Sequence, residues 1–354
     1  MRPLPVRGRG APGNPANRFD GIDVDRDGWT GEDPGPETLL LRDRSRSIIS
    51  RNRSPDVGFE ASVNPYRGCE HGCVYCYARP SHEYLGFSAG LDFESRILAK
   101  VDAPKLLRAD LASSRWDPVV LALSGVTDPY QPAERRLRIT RGCLQVLTEA
   151  RNPVSVITKS GLVARDADLL GELAAFGAAR VSVSITTLDE ELRRVMEPRA
   201  PTPTRRLETV ATLAAAGIPV GVLVAPVIPG LTEHELPAIL EAAAEAGAAH
   251  ARWIMLRLPH GVSELFEAWL QAHFPGRKEK VLGRVREMRG GRLNDPRFGS
   301  RMSGEGPVAR HIAQMFSVAA RRFGLDGTRA PLSTAAFRPP SPPPRVGPQL
   351  PLFG

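Results

Sequence analysis

Short apolar, β-branched runs, each separated from the next by a segment of helical pattern, constrain the fold of this chain more than any other feature. The runs lie at 119–124, 154–158, 181–186, 218–225 and 251–258. Helical periodicity is predicted between them at 131–150, 165–176, 204–216 and 233–248. A strand that is apolar on both faces must be covered on both faces, and a helix after each strand is the connection that parallel strands need. With one further strand before Cys69, the pattern predicts an α/β fold of six βα repeats, a partial (β/α)6 barrel of the TIM type. No Gly-x-Gly-x-x-Gly follows any of these strands, which argues against a dinucleotide fold. Functional residues of such barrels gather at the C-terminal strand ends.

The first strand runs into Asn64-Pro65-Tyr66-Arg67-Gly68-Cys69-Glu70-His71-Gly72-Cys73-Val74-Tyr75-Cys76-Tyr77. Three of the chain's four cysteines fall in this one loop, spaced Cys-x3-Cys-x2-Cys, which points to metal chemistry and not to a disulfide framework. Three soft thiolates can hold three irons of a [4Fe–4S] cluster and leave the fourth iron without a protein ligand. Gly68 and Gly72 allow the loop to close tightly. Two other readings fit the residue types. In one, His71 or His82 completes a Cys3His zinc site and the protein binds nucleic acid without catalysis. In the other, Cys143 is the fourth ligand of an electron-transfer cluster, although its helical setting favours a buried apolar role.

Cys-x3-Cys-x-aromatic-Cys after the first strand of a partial barrel resembles the radical S-adenosylmethionine superfamily. The resemblance implies a [4Fe–4S] cluster on Cys69, Cys73 and Cys76, with S-adenosylmethionine bound at the open iron and cleaved to a 5′-deoxyadenosyl radical. It also implies an electron donor of the flavodoxin or ferredoxin kind. Carried over by position, Tyr75 would lie against the adenine, and Ser124, Gly125 and Thr127 would meet the methionine amino group. Lys159 would meet the methionine carboxylate. It stands out in a chain where only five of 47 basic residues are lysines, and a compact ammonium suits a point contact. Ser184, with Thr186, would reach the ribose, Ala225 would open an apolar adenine-binding turn, and Arg257 would face cofactor or substrate.

Residues 60–260 look most like the branch that includes spore photoproduct lyase, through Thr158-Lys159-Ser160 and a Ser-ended fourth strand. That lyase repairs a thymine dimer in DNA and keeps a hydrogen-donating cysteine near the end of its second strand. Here Leu121-Ala122-Leu123-Ser124 contains none, so dimer repair by that route is not expected.

Composition divides the chain into a basic Gly/Pro-rich extended arm (1–55), the barrel (56–290), a basic loop and helix (291–337) and a disordered Pro-rich tail (338–354). No apolar run approaches the roughly 20 residues of a membrane span, and no secretory signal is evident, so a cytoplasmic location is expected. A net charge of +8, and Arg289, Arg292, Arg297 and Arg301 set among glycines, suggest a loop able to grip phosphates and a DNA partner. The tail ends in Gln349-Leu350-Pro351-Leu352-Phe353, which resembles the peptide that docks bacterial repair proteins on the DNA sliding clamp.

Overall fold

The protein is described here by a computed structural model covering residues 6–19, 37–327 and 330–341. Before the repeating part of the chain come four short strands, β1 (Leu39–Arg42), β2 (Ile49–Arg51), β3 (Ala61–Val63) and β4 (Tyr66–Arg67). After the cysteine loop and a 3₁₀ helix at Arg79–Leu85 follow α1 (Leu91–Ser95), β5 (Arg96–Ala99) and α2 (Ala103–Leu111). The alternation then runs through β6 (Leu121–Leu123), α3 (Glu134–Leu137), α4 (Ile139–Ala150), β7 (Val154–Thr158), α5 (Ala167–Ala175) and β8 (Ala179–Ser184). It continues through α6 (Glu190–Met196), α7 (Pro203–Ala215), β9 (Val220–Val227), α8 (Leu236–Glu245) and β10 (Ala251–Met255). The chain closes with α9 (Val262–His273), α10 (Lys278–Met288), α11 (Ser300–Ser303) and α12 (Gly306–Arg322).

The main sheet has the order β10-β9-β8-β7-β6-β3-β2. β3 and β6 to β10 are parallel neighbours in chain order, so each crossover moves one strand in the same direction, as in a (β/α) barrel. The sheet remains open between β10 and β2, the latter pairing antiparallel with β3. β7, β8 and β9 carry the Val-rich runs, and Val154, Val156, Val181, Val183, Val220 and Val222 are buried under α4, α5, α7 and α8. Arg138, at φ 51°, breaks the helix expected over 131–150 into α3 and α4, and a 3₁₀ turn precedes α8 within 233–248.

The expected arm is tied to the core in its described parts. β1 pairs with β5, β5 with β4, and residues 6–19 lie against the cysteine loop. Strands of two to four residues are too short to show periodicity in the sequence. α12 buries Ala309, Ile312, Phe316 and Ala320 along one stripe, and Phe316 meets Trp253 of β10 at 6.0 Å between ring centroids. Of the expected tail, residues 338–341 lie beside the end of α4, where Arg338 N–H donates to the Ala150 carbonyl at 2.9 Å. The clamp-like peptide 349–353 lies outside the described residues. No helix among the described residues is long and apolar enough to cross a membrane.

Candidate active site

The cysteine loop follows β4 and folds back under α1. Gly68 and Gly72 take φ of 79° and 68°, where a side chain would be strained, and each lacks room for one. A Cβ on Gly68 would stand 2.9 Å from the Phe93 carbonyl, and one on Gly72 would stand 2.6 Å from Glu94 Oε2. Arg79, wholly buried, holds the loop from inside. Its Nε donates to the Cys73 carbonyl at 3.0 Å, and its Nη2 donates to the Gly72 carbonyl at 3.2 Å and to Glu94 at 2.7 Å. The other Glu94 contacts come from the N-terminal arm, whose Gly10 and Ala11 amides donate to the carboxylate at 3.1 and 2.7 Å. Gly10 comes so close to the Gly72 carbonyl that any Cβ there would overlap it.

Burial pushes the Cys73 thiol up to about 12 and raises those of Cys69 and Cys76 as well. The loop therefore supplies thiolates only to a metal that displaces their protons. Among the described residues, no three His, Cys, Asp or Glu side chains come close enough to share a single ion. A cuboidal cluster places its thiolates on separate irons and makes no such demand. Each of the two histidines of the zinc reading has one ring nitrogen engaged. His71 Nδ1 faces Asp128 at 3.4 Å, and His82 Nε2 bonds the Arg96 carbonyl at 2.9 Å. Cys143 is buried in α4 among core side chains, as its helical setting suggested.

His82 is fully buried and its Nδ1 has no partner, so burial lowers its pKa to about 4. The unfolded chain takes up this proton below 6.5 and the folded chain only near 4, so stability present above 6.5 falls as pH drops through that window, by about 3 kcal/mol. His82→Gln is expected to flatten the pH dependence of the urea midpoint between pH 6.5 and 4. An unchanged slope would assign the effect to other groups.

The strand ends deliver the second half of the site. At the end of β7, the Lys159 ammonium donates to Ser184 Oγ at 2.8 Å and to the Ala225 carbonyl at 3.4 Å, joining β7, β8 and β9. It lies 5.8 Å from the Tyr75 ring centroid. The Tyr75 hydroxyl donates to Glu197 and contacts Thr186 Oγ1 at 3.2 Å. Glu197 sits just past α6, a helix started by Asp189, whose carboxylate accepts from the Glu191 and Leu192 amides, a cap worth about 1 kcal/mol. Its partner Arg206 lies in the first turn of α7, which Thr202 caps and Pro203 opens. Burial acts to raise the Glu197 carboxyl, but Arg206 and then Lys159 outweigh it and hold it at about 2. Sequence reasoning missed Glu197 and Arg206, which stand in a charged stretch that reads as ordinary surface.

Ser124, Gly125 and Thr127 form a separate group at the end of β6. Ser124 has φ 129°, a conformation that costs a non-glycine residue roughly 1–3 kcal/mol. Its hydroxyl donates to the Thr127 carbonyl at 3.1 Å, and Thr127 Oγ1 donates to the Tyr66 carbonyl at 3.1 Å. Asp128 links this turn to the rest, accepting from the Lys159 amide at 2.8 Å and from Thr158 Oγ1 at 2.7 Å. Arg257 does not join the Lys159 group. Its guanidinium lies over the Tyr77 ring at 5.4 Å, and the Tyr77 hydroxyl donates to the Gly125 carbonyl at 2.5 Å.

The basic loop differs from its sequence reading. Arg289 is buried and bonded to carbonyls, Arg297 pairs with Asp295 and Glu305, and Arg301 pairs with Asp56. Of the four arginines, Arg292 is exposed and has no charge partner among the described residues.

Fold and site together define a class: an enzyme on an open α/β half-barrel with a three-cysteine loop at the C-terminal strand ends. A family model described as the Radical SAM superfamily matches residues 63–243. An uncharacterized protein of Mycobacterium tuberculosis is 38% identical over 242 residues, covering 67% of this chain and 70% of that one. Another, from Methanocaldococcus jannaschii, is 28% identical over 55% of this chain and 70% of its own. The solved structure of spore photoproduct lyase complexed with dinucleoside spore photoproduct is 15% identical and superposes with a TM-score of 0.55 over 80% of this chain and 79% of that one, a likeness of fold. The chain belongs to the radical SAM superfamily and is a radical SAM enzyme.

Proposed function

We propose that this enzyme binds a [4Fe–4S] cluster through Cys69, Cys73 and Cys76, takes S-adenosylmethionine as co-substrate across the ends of β6 to β9, and acts on DNA. The observation that carries the reading is the convergence of Ser184 and the Ala225 carbonyl on the Lys159 ammonium, which itself faces the ring of Tyr75, a residue of the cysteine loop. When bound, such a cluster supplies the electron that splits S-adenosylmethionine into methionine and a 5′-deoxyadenosyl radical.

The chain's own residues bind and orient. Lys159 has three donors, of which Ser184 and the Ala225 carbonyl take two, while Glu197 Oε1 is 3.9 Å away. The third donor is available to a ligand carboxylate. Arg206 neutralises Glu197, so the Lys159 charge is the unbalanced one facing the site. Glu197 and Thr186 fix the Tyr75 phenol and hence its ring plane. Leu192, Met196, Ile228 and Leu231 pack beside Cys73 and Tyr75 and keep water from this side of the loop.

The basic balance of the chain supports DNA as substrate class, and so does the fold it shares with a lyase complexed with dinucleoside spore photoproduct. The missing cysteine at 121–124 directs the reading toward a different outcome for the substrate radical. An acidic flavodoxin- or ferredoxin-type protein is the proposed electron donor. Docking to the sliding clamp through residues 349–353 is proposed on the sequence match alone.

The test is anaerobic reconstitution with iron and sulfide, followed by reduction with S-adenosylmethionine present and quantification of 5′-deoxyadenosine. Wild type is expected to form it, and Cys73→Ala to form at least about a thousandfold less, as befits loss of the reacting centre. Retention of stoichiometric zinc with no deoxyadenosine in wild type would overturn the reading.

A further inference from the structure

Three arginines meet just past the edge strand β10, and their charges are not balanced. Arg289 reaches back from the end of α10 to bond the Leu256 carbonyl at 2.8 Å and the Ser300 carbonyl at 2.9 Å. These are the residues immediately before Arg257 and Arg301, so one guanidinium brackets the backbone that presents the other two. Arg301 is bound to Asp56, at 2.5 Å from Nε, and to Ser54. Gly299 N–H also donates to Asp56, at 2.7 Å. Asp56 thereby latches α11 to the segment between β2 and β3, across the open side of the barrel.

Arg257 has no comparable partner. Its Nε is buried without an acceptor, and among the described residues its hydrogen-bond contact is the Met302 thioether, 3.8 Å from Nη1. Arg289 Nε is likewise buried and unpartnered. Among the described residues, Asp56 is the one carboxylate bonded to any of the three arginines, while Asp295 and Glu305 are taken by Arg297. Counted with Arg297, four guanidinium groups meet three carboxylates, which leaves positive charge in excess in a partly desolvated place. Such charges are retained at a cost unless a ligand supplies the counter-charge.

We propose that Arg257, with Arg289 and Arg301 beside it, is a binding site for phosphate groups of a nucleic-acid strand. This inference rests on the DNA reading above and locates where the strand is held. A phosphodiester supplies the single negative charge that the group lacks. The planar donors of Arg257 match a phosphate in two-point fashion. The surroundings suit a nucleotide: the Tyr77 ring lies under Arg257 and is half exposed, and Phe298 is exposed under the Arg301 guanidinium at 4.5 Å. Flat rings beside a cationic groove are how single strands are held without sequence preference. Tyr77 follows Cys76 directly, so a strand anchored at Arg257 lies next to the cysteine loop.

The experiment is fluorescence anisotropy of a labelled single-stranded octanucleotide titrated with the reconstituted full chain under anaerobic conditions. Arg257→Ala is expected to weaken binding about tenfold and to lower the slope of log affinity against log salt by about one. Arg257→Lys should recover part of the affinity and the whole of the slope. An octanucleotide with methylphosphonate linkages, uncharged but able to stack, should bind wild type at least as weakly as the natural strand binds Arg257→Ala. That arm needs no variant and guards against misfolding. Competition by a nucleoside monophosphate in an Arg257-dependent way, without strand binding, would support the phosphate site while overturning a strand as its ligand. Equal affinity of wild type and Arg257→Ala, or of natural and methylphosphonate strands, overturns the proposal. Deoxyadenosine formation by wild type in the same preparation reports separately on the radical SAM function.

Discussion

Arg79→Ala is expected to cost about 3–5 kcal/mol of stability and to leave a protein that cannot retain iron. The side chain is wholly buried, and it donates to the carbonyls of Gly72, Cys73, Ala89 and Gly90 as well as to Glu94. Removing it strands a buried carboxylate and unpairs carbonyls on both sides of the cysteine loop. The loss of one partner of a buried pair accounts for the energy. The loss of the loop's shape accounts for the iron. Arg79→Lys keeps the charge but not the fork that spans four carbonyls, so it should restore a minor part of both. Denaturant unfolding and the iron-to-protein ratio after reconstitution check the two halves. Wild-type iron content in Arg79→Ala would mean that the cysteines are positioned without it.

Glu197→Ala should destabilise by a similar amount, about 3–5 kcal/mol, because Arg206 is then left charged and unpaired in the interior. A double variant, Glu197→Met with Arg206→Met, should regain most of that loss, since replacing both members of a buried pair removes the desolvation cost with the attraction. The double variant should nonetheless bind S-adenosylmethionine poorly, because Tyr75 loses the carboxylate that fixes its phenol. Stability and ligand affinity would then separate in one experiment. The pair also has a pH signature. The folded carboxyl sits at about 2, against 4.5 as the ordinary value, so its contribution is complete above about 4.5 and is lost as pH falls toward 2, about 3 kcal/mol in all. If the double variant is no more stable than Glu197→Ala, the pair is not the source of the loss.

Those two sites show where sequence reasoning stopped. Val154–Thr158 could be read to the residue, because a buried parallel strand announces itself as an unbroken apolar run. The cysteine spacing was equally plain, and Lys159 stood out against a background of arginine. Arg79 and Glu94 did not stand out. They are two among many charged residues, and nothing in their neighbours says that both are removed from water. Glu197 and Arg206 are separated by the turn between α6 and α7, and only the folded chain brings them to Tyr75. The loop after α10 misled in the other direction. Its arginines read as an exposed basic patch, yet Arg289 and Arg301 are spent on holding backbone and Asp56, and a buried guanidinium nitrogen without an oxygen partner belongs to Arg257, just past β10. Charge count is visible in sequence, whereas charge balance depends on who sits beside whom.

The clasp of the N-terminal arm on Glu94 carries a consequence for how the cysteines are reached. Gly10 and Ala11 come some sixty residues before the cysteines, yet they complete the same closed ring of contacts with Glu94, Arg79 and Gly72. Once that ring is shut, one whole flank of the loop is sealed by main chain, with no space for so much as a methyl group at Gly10. With the arm seated, iron and sulfide therefore have to reach the cysteines from the opposite side, where Cys76 stays partly exposed beside Tyr77.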